Sequence, residues 1–302
     1  MLSLCQYLNI WRPFTIVYEN HDVTHLEGKL SMSGFVGSPN DVGMIVVLPA
    51  IATIALTAVT RGATRVAAGT VSAILLAALF ASQSVTAIGA FVVAAASMLF
   101  VAFPRRTGVA AVGAVAVLLA ALFGYAPLRQ RFTAIAELMR AGEYNHMLAG
   151  RLQPYMAAAF MFRDHPLFGA GPGTFHWHYM PYRVEIGHRF PERFVMAGPA
   201  IQNFGQAHND HLQVLAETGL PGYLLFGAAL VMLARFSLRV RAPDGSSAVA
   251  LSRARFVRLF ALPFAAGLAT LALAQFPLQV AAPRIVYLFL AALIVAWGGA
   301  DA

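Results

Sequence analysis

Long apolar runs without a single charge constrain this chain more than any other feature. Val42–Val59 is one, and Val66–Phe103 is another. About 20 helical residues cross the ~30 Å hydrocarbon core of a bilayer. Val66–Phe103 is too long for one crossing, and polar Ser82, Gln83 and Ser84 divide it into two. Gly108–Leu128 is a fourth uncharged run. Leu212–Ala234 carries only Glu217 near its start, and Leu259–Pro283 and Ile285–Ala300 complete the series. A segment in lipid must satisfy its own backbone hydrogen bonds, which selects helices. The expected fold is an all-α, polytopic membrane helix bundle of about seven spans with one large, partly helical periplasmic loop. Charge content excludes the soluble alternative: 11% of residues are charged, against about 25% in soluble domains.

Arginine placement sets the orientation. Lys29 is the one lysine, so the remaining basic residues are arginines. Arg61 and Arg65 separate the first two spans, and Arg105 and Arg106 separate the third and fourth. Arg235, Arg239, Arg241, Arg253, Arg255 and Arg258 separate the fifth and sixth, with Asp244 as the only acid there. The positive-inside rule assigns these connections to the cytoplasm. The expected organisation is an extracytoplasmic segment over 1–41, four transmembrane helices over 42–128, and a periplasmic loop over 129–211. Three further transmembrane helices follow over 212–302, with an arginine-rich cytoplasmic loop at 235–258. The net charge of +8 is then largely a topology signal facing anionic headgroups, and no basic, aromatic-interleaved nucleic-acid surface is present. The single cysteine, Cys5, forms no internal disulfide, so packing alone holds the outer loop. An external N-terminus without a basic n-region or long apolar stretch leads to the expectation that further spans precede this segment.

The outer loop concentrates the polar chemistry, including His146, His165, His176, His178, His188, His208 and His211. In Ala207–Tyr223, His208 and Asn209 stand where the loop meets the fifth span; if helical from here, His208, His211 and Leu215 share a face. Glu217 falls just inside the apolar zone, where an ion needs a partner. Gly219 and Gly222 allow a kink or close packing. Gly150-Arg151 precedes an amphipathic helix over Arg151–Phe162, and a guanidinium fork suits a phosphate or diphosphate. The helix ends at Pro166, after His165. Gly169, Gly171 and Gly173 then allow tight turns whose backbone NH groups could face an anion, although no Walker lysine follows. His176 and His178 with His208 or His211 follow no recognised zinc spacing, and no metal is expected.

In combination these residues resemble the O-antigen ligase and polysaccharide polymerase superfamily of bacterial inner membranes. The hallmark is His208-Asn209, nine residues, then Gly219-Leu220-Pro221-Gly222. Gly150-Arg151 before a helix, the stretch His165–Phe175, and Gly34–Asn40 before a span are also similar. The resemblance covers about residues 33–235. It implies transfer of a glycan from an undecaprenyl-diphosphate carrier to a sugar hydroxyl on the periplasmic side, with no cofactor. The acceptor is the lipid A core for ligases and a carrier-linked glycan for polymerases.

On that reading Arg151 stabilises the diphosphate leaving group and His208 accepts the hydroxyl proton, with Asn209 or Glu217 orienting it. His165 and His211 are further candidates at the substrate. Family members often carry a Ser-Arg pair at the outer mouth of a span. Here that place reads Ser82-Gln83-Ser84, and Gln83 carries no charge, so Arg163 or Arg183 would have to substitute. Polymerisation by the same chemistry is the alternative. A transporter or inactive scaffold is disfavoured, because the spans are nearly free of ionisable groups.

Overall fold

The computed structural model describes residues 38–103, 126–148, 150–191, 204–240 and 247–299, with isolated positions between 112 and 124. The helices are α1 (Pro39–Val59), α2 (Gly62–Ala81), α3 (Val85–Ala102), α4 (Ala126–Arg140), α5 (Tyr144–Met147), α6 (Leu152–Asp164), α7 (Phe175–Arg189), α8 (Asp210–Arg239), α9 (Ala248–Ala272) and α10 (Ala281–Gly299). Among the described residues there is no strand, and six helices are long and apolar enough to cross a membrane: α1, α2, α3, α8, α9 and α10. The expected span over Gly108–Leu128 and the segment 1–37 lie largely or wholly outside the described residues. The all-helical, polytopic architecture is therefore as the apolar runs indicate.

Two compact units form. One contains α1, α2, α3, α10, α8 from Leu230 and α9 to Leu271; the other contains Arg129–Ala229 and Ala272–Val280. In the first, α1 packs against α2, α3 and α10. Ser38 caps α1 by accepting from the Asp41 amide at 3.3 Å, and Pro39 follows it in the first turn. A capping hydroxyl before a helix-starting proline satisfies an otherwise orphaned amide at a fixed φ. Small residues bring helices close: a Cβ on Gly43 would lie 2.9 Å from the Ser84 Cβ, and one on Gly267 would lie 2.8 Å from Leu48. The Tyr287 hydroxyl donates to the Met44 carbonyl, so this buried phenol is satisfied. Large apolar side chains point outward instead, including Val66, Val231 and Phe289, as lipid-facing surfaces require. Ser82–Ser84 does break the long apolar run, with Gln83 left-handed at φ 51°.

The second unit is organised by an interruption in α8. Gly219 has φ 68° and ψ −171°, which separates residues 210–218 from 220–239. Pro221 has no N–H, so the Glu217 carbonyl loses its helical donor. The break also diverts the Leu220 amide, which donates to the Pro166 carbonyl at 2.9 Å. The loop after α6 repairs both losses. Ala170 N–H donates to the Ala216 carbonyl at 2.9 Å, and Gly171 N–H donates to the Glu217 carbonyl at 3.0 Å. Two glycines permit this contact. A Cβ on Gly169 would fall 2.2 Å from the Glu217 carbonyl carbon, and one on Gly219 would fall 2.4 Å from the Leu167 oxygen. Around the interlock, Ala157, Ala158 and Met161 of α6 pack with Phe175, Tyr179 and Ile186 of α7 and with Ala207 and Ala216.

Gly219→Ala should destabilise the fold by more than about 1 kcal/mol, since a left-handed L-residue alone costs that much before the backbone clash is added. Gly205→Ala, where nothing lies within 4 Å, is the control. Thermal melting of the purified detergent-solubilised chain should separate the two variants, and equal melting temperatures would contradict the interlock.

Candidate active site on the second unit

The segment leading into α8 is built from capping chemistry. Asn209 precedes the helix, and its Oδ1 accepts from the Leu212 amide at 3.0 Å, which is an N-cap. Its Nδ2 donates to the Leu273 carbonyl at 2.7 Å. The Asp210 amide donates to the Gln275 carbonyl at 3.2 Å, and Asp210 Oδ2 accepts from the Leu278 amide at 2.8 Å. Arg151 Nη1 donates to the Ala274 carbonyl at 2.8 Å. Three successive carbonyls of the irregular stretch after α9 are thus pinned by Asn209, Arg151 and Asp210. The apolar run expected through Pro283 ends as helix at Ala272, and the freed backbone becomes the floor of the site.

His208 stands at the centre. Its backbone is left-handed, φ 56°, which is uncommon for a residue other than glycine. The imidazole lies edge-on between Phe204, at 5.5 Å and 86°, and Phe276, at 4.4 Å and 81°. Its Nδ1 is buried and has no hydrogen-bond partner among the described residues. Burial first, and the Arg151 charge second, push the imidazole pKa down to about 4. It is therefore neutral at pH 7, with a free ring nitrogen.

Tyr155, one turn into α6, links the Arg151 side chain to the backbone of His208. Arg151 shares a side-chain hydrogen bond with Tyr155, and the Tyr155 hydroxyl donates to the His208 carbonyl at 3.3 Å. Burial pulls the Arg151 pKa down, opposed by Tyr155, but a guanidinium stays charged at neutral pH. Arg151 forms no ion pair with a carboxylate among the described residues, in contrast to Arg163. That side chain bonds Asp164 at 2.7 Å and Glu185 at 3.3 Å, so it is engaged on the surface and does not substitute for a second anion-binding arginine. Arg189 also bonds Glu185, at 2.7 Å.

Other expected site residues have different positions. Glu217 does not orient His208. Its Oε2 accepts from Gly173 N–H at 2.8 Å, and its Oε1 accepts from Phe175 N–H at 3.1 Å and Gln213 Nε2 at 3.0 Å. The anion facing the glycine-rich loop is this carboxylate, which caps the N-terminus of α7, where negative charge is favourable. Asn209 does not orient the imidazole either, because both ends of its amide serve the helix cap and the Leu273 carbonyl. The shared helical face of His208 and His211 does not form, since His208 lies before the helix. His211 Nδ1 meets the Tyr223 hydroxyl at 3.2 Å, and its ring lies 5.6 Å from Phe226. His165 is the exposed C-cap of α6, its N–H donating to the Met161 carbonyl at 3.0 Å. Gln83 belongs to the first unit. No cluster of three or more His, Cys, Asp or Glu side chains able to hold a metal ion occurs among the described residues.

Sequence reasoning missed Tyr155, Gln213 and Phe276. Tyr155 had a readable signal, four residues beyond Arg151. Gln213 accepts from Ala207 N–H at 2.9 Å while holding Glu217, and nothing in its spacing announces that bridge.

These features define a class: a polytopic helical membrane protein carrying a paired arginine–histidine site on a helical insertion between spans. The family model described as O-Antigen ligase matches residues 70–227, more than half of the chain. The chain belongs to this family, whose members are glycosyltransferase-like enzymes of the ligase and polymerase superfamily. Comparison with curated proteins gave no significant match. The match and the six apolar helices identify a multi-pass bacterial membrane protein.

Glu217→Gln should lower stability by about 2 kcal/mol, the scale of hydrogen bonds to a charged group, while leaving turnover per folded molecule close to the parent. A melting temperature unchanged beside a collapsed turnover would return Glu217 to a catalytic role.

Proposed function

We propose that this chain transfers a glycan from an undecaprenyl-diphosphate carrier to a sugar hydroxyl of the lipid A core. The reaction takes place at the periplasmic face of the inner membrane and needs no metal. The observation that carries this reading is the Arg151–Tyr155–His208 chain, in which a guanidinium without a carboxylate partner among the described residues stands beside a neutral imidazole.

Arg151 spends one donor on Ala274 and contacts Tyr155. The rest of its five-donor fork is left for diphosphate oxygens. As the bond from the sugar's anomeric carbon to the phosphate oxygen breaks, charge grows on the diphosphate, and a preorganised cation stabilises it. The acceptor hydroxyl oxygen forms the new glycosidic bond, and its proton passes to the His208 imidazole. Direct displacement inverts the anomeric centre.

An imidazole with a pKa of about 4 is a weak base in the empty site. The bound diphosphate offsets Arg151 and adds negative charge next to the ring, which raises its proton affinity. Donor binding thus readies the base. Polymerisation would differ only in the acceptor, so the same purified chain should be offered both a lipid A core and a carrier-linked repeat.

His208→Ala should abolish product, read as loss of the polysaccharide ladder in a ligase-deficient strain, with protein abundance unchanged. Activity should survive a chelator. An intact ladder in the variant, or activity lost to chelation and restored by a divalent cation, would overturn the respective assignments. The acidic limb of kcat/KM, which reports the free enzyme, should lie near pH 4; that of kcat should lie higher, because the donor raises the imidazole pKa. Coincident limbs would contradict the donor-readied base.

A further inference from the structure

A basic groove in the first unit lies outside the region matched by the family model. It occupies about 640 Å3 where the end of α1, the start of α2, the start of α9 and the end of α10 meet. Arg61, Arg253 and Arg255 line it, and all three are exposed. None of them forms an ion pair with a carboxylate among the described residues. Sequence keeps the balance positive, since 235–258 holds six arginines against the single acid Asp244. Two helix N-termini and two C-termini converge here, so their dipoles largely offset and the guanidiniums carry the field.

The walls are amphipathic. Thr64 and Ser252 contribute hydroxyls, while Val59 and Phe256 contribute apolar surface. Arg253 lies over the Trp297 ring at 5.6 Å, and Phe256 meets that ring edge-on at 5.3 Å. Val249, 60% exposed, continues the apolar wall outward. A tryptophan and arginines at the ends of membrane-crossing helices suit the headgroup level of a bilayer. A soluble anion would use the arginines and leave the apolar wall uncovered. A lipid uses both.

We propose that this groove binds the phosphodiester headgroup of an anionic glycerophospholipid from the leaflet that these helix ends face. The phosphate sits among Arg61, Arg253 and Arg255, and the proximal acyl carbons lie along Val249 and Trp297. The proposal is independent of the glycan-transfer reading.

The test is lipid binding to the delipidated full chain in detergent, read by native mass spectrometry. Phosphatidylglycerol, phosphatidylcholine and sn-glycerol 3-phosphate are the probes. Phosphatidylglycerol should bind saturably, and the other two should bind far more weakly. Arg61→Gln, Arg253→Gln and Arg255→Gln should each weaken phosphatidylglycerol about five-fold, the effect of one basic residue at a membrane surface. The triple glutamine variant should lose roughly a hundred-fold, and the triple lysine variant should retain binding. The single variants keep the test decisive should the triple variant not fold. Equal binding of phosphatidylcholine, or single variants that bind like the parent, would overturn the site. Equal binding of sn-glycerol 3-phosphate would overturn the lipid assignment.

Discussion

The second unit depends on one exchange of backbone hydrogen bonds. Gly219 breaks α8, Pro221 removes a donor, and the carbonyls of Ala216 and Glu217 would be left unpaired inside the protein. An unpaired buried carbonyl is costly. The loop after α6 supplies Ala170 and Gly171, and the Pro166 carbonyl takes the Leu220 amide in return. Two glycine-rich motifs far apart in sequence are therefore one interlock. It fixes where α7 begins, through Gly173 and Phe175 on the Glu217 carboxylate, and it anchors Gln213, which holds the Ala207 amide next to His208.

Two ions in this unit, one buried and one half-buried, have opposite fates for the same physical reason. Glu217 has three donors on its carboxylate, so its charge is fully used in holding the fold. Among the described residues Arg151 has only neutral partners, a backbone carbonyl and a phenol. Its charge is desolvated without being compensated, which favours an anionic ligand. Burial, and after it this charge, holds His208 neutral. Arg163, with two carboxylates at hand, lacks this property despite lying in the same loop.

The spans were legible because lipid imposes a one-dimensional rule. A segment that crosses must be long, apolar and helical, and each condition is visible in consecutive residues. Ser82–Ser84 breaks the long run where expected, while α1 starts at Pro39, three residues before the apolar run, because Ser38 caps it. His208 and Arg151 were legible as motif residues, and they share a cluster through Tyr155. The partners of Glu217, Asn209 and His211 were not legible, since sequence distance does not reveal which groups reach a carboxylate, an amide or an imidazole. The floor of the site at 273–278 was also hidden. Gln275 and Pro277 interrupt the apolar run there, but only backbone geometry turns that interruption into a row of carbonyl acceptors.

The sequence by itself determined that this is a helical membrane protein, where its described spans lie apart from α9, and which segment concentrates the histidines. Those outcomes follow from composition and local hydrogen-bonding capacity along the chain. Tertiary structure alone decided which charges are compensated: donors brought from 44 residues away meet the Glu217 carboxylate, whereas the partner brought from 123 residues away to Arg151 is a neutral carbonyl. Desolvation and pairing act through space, and no reading along the chain contains them.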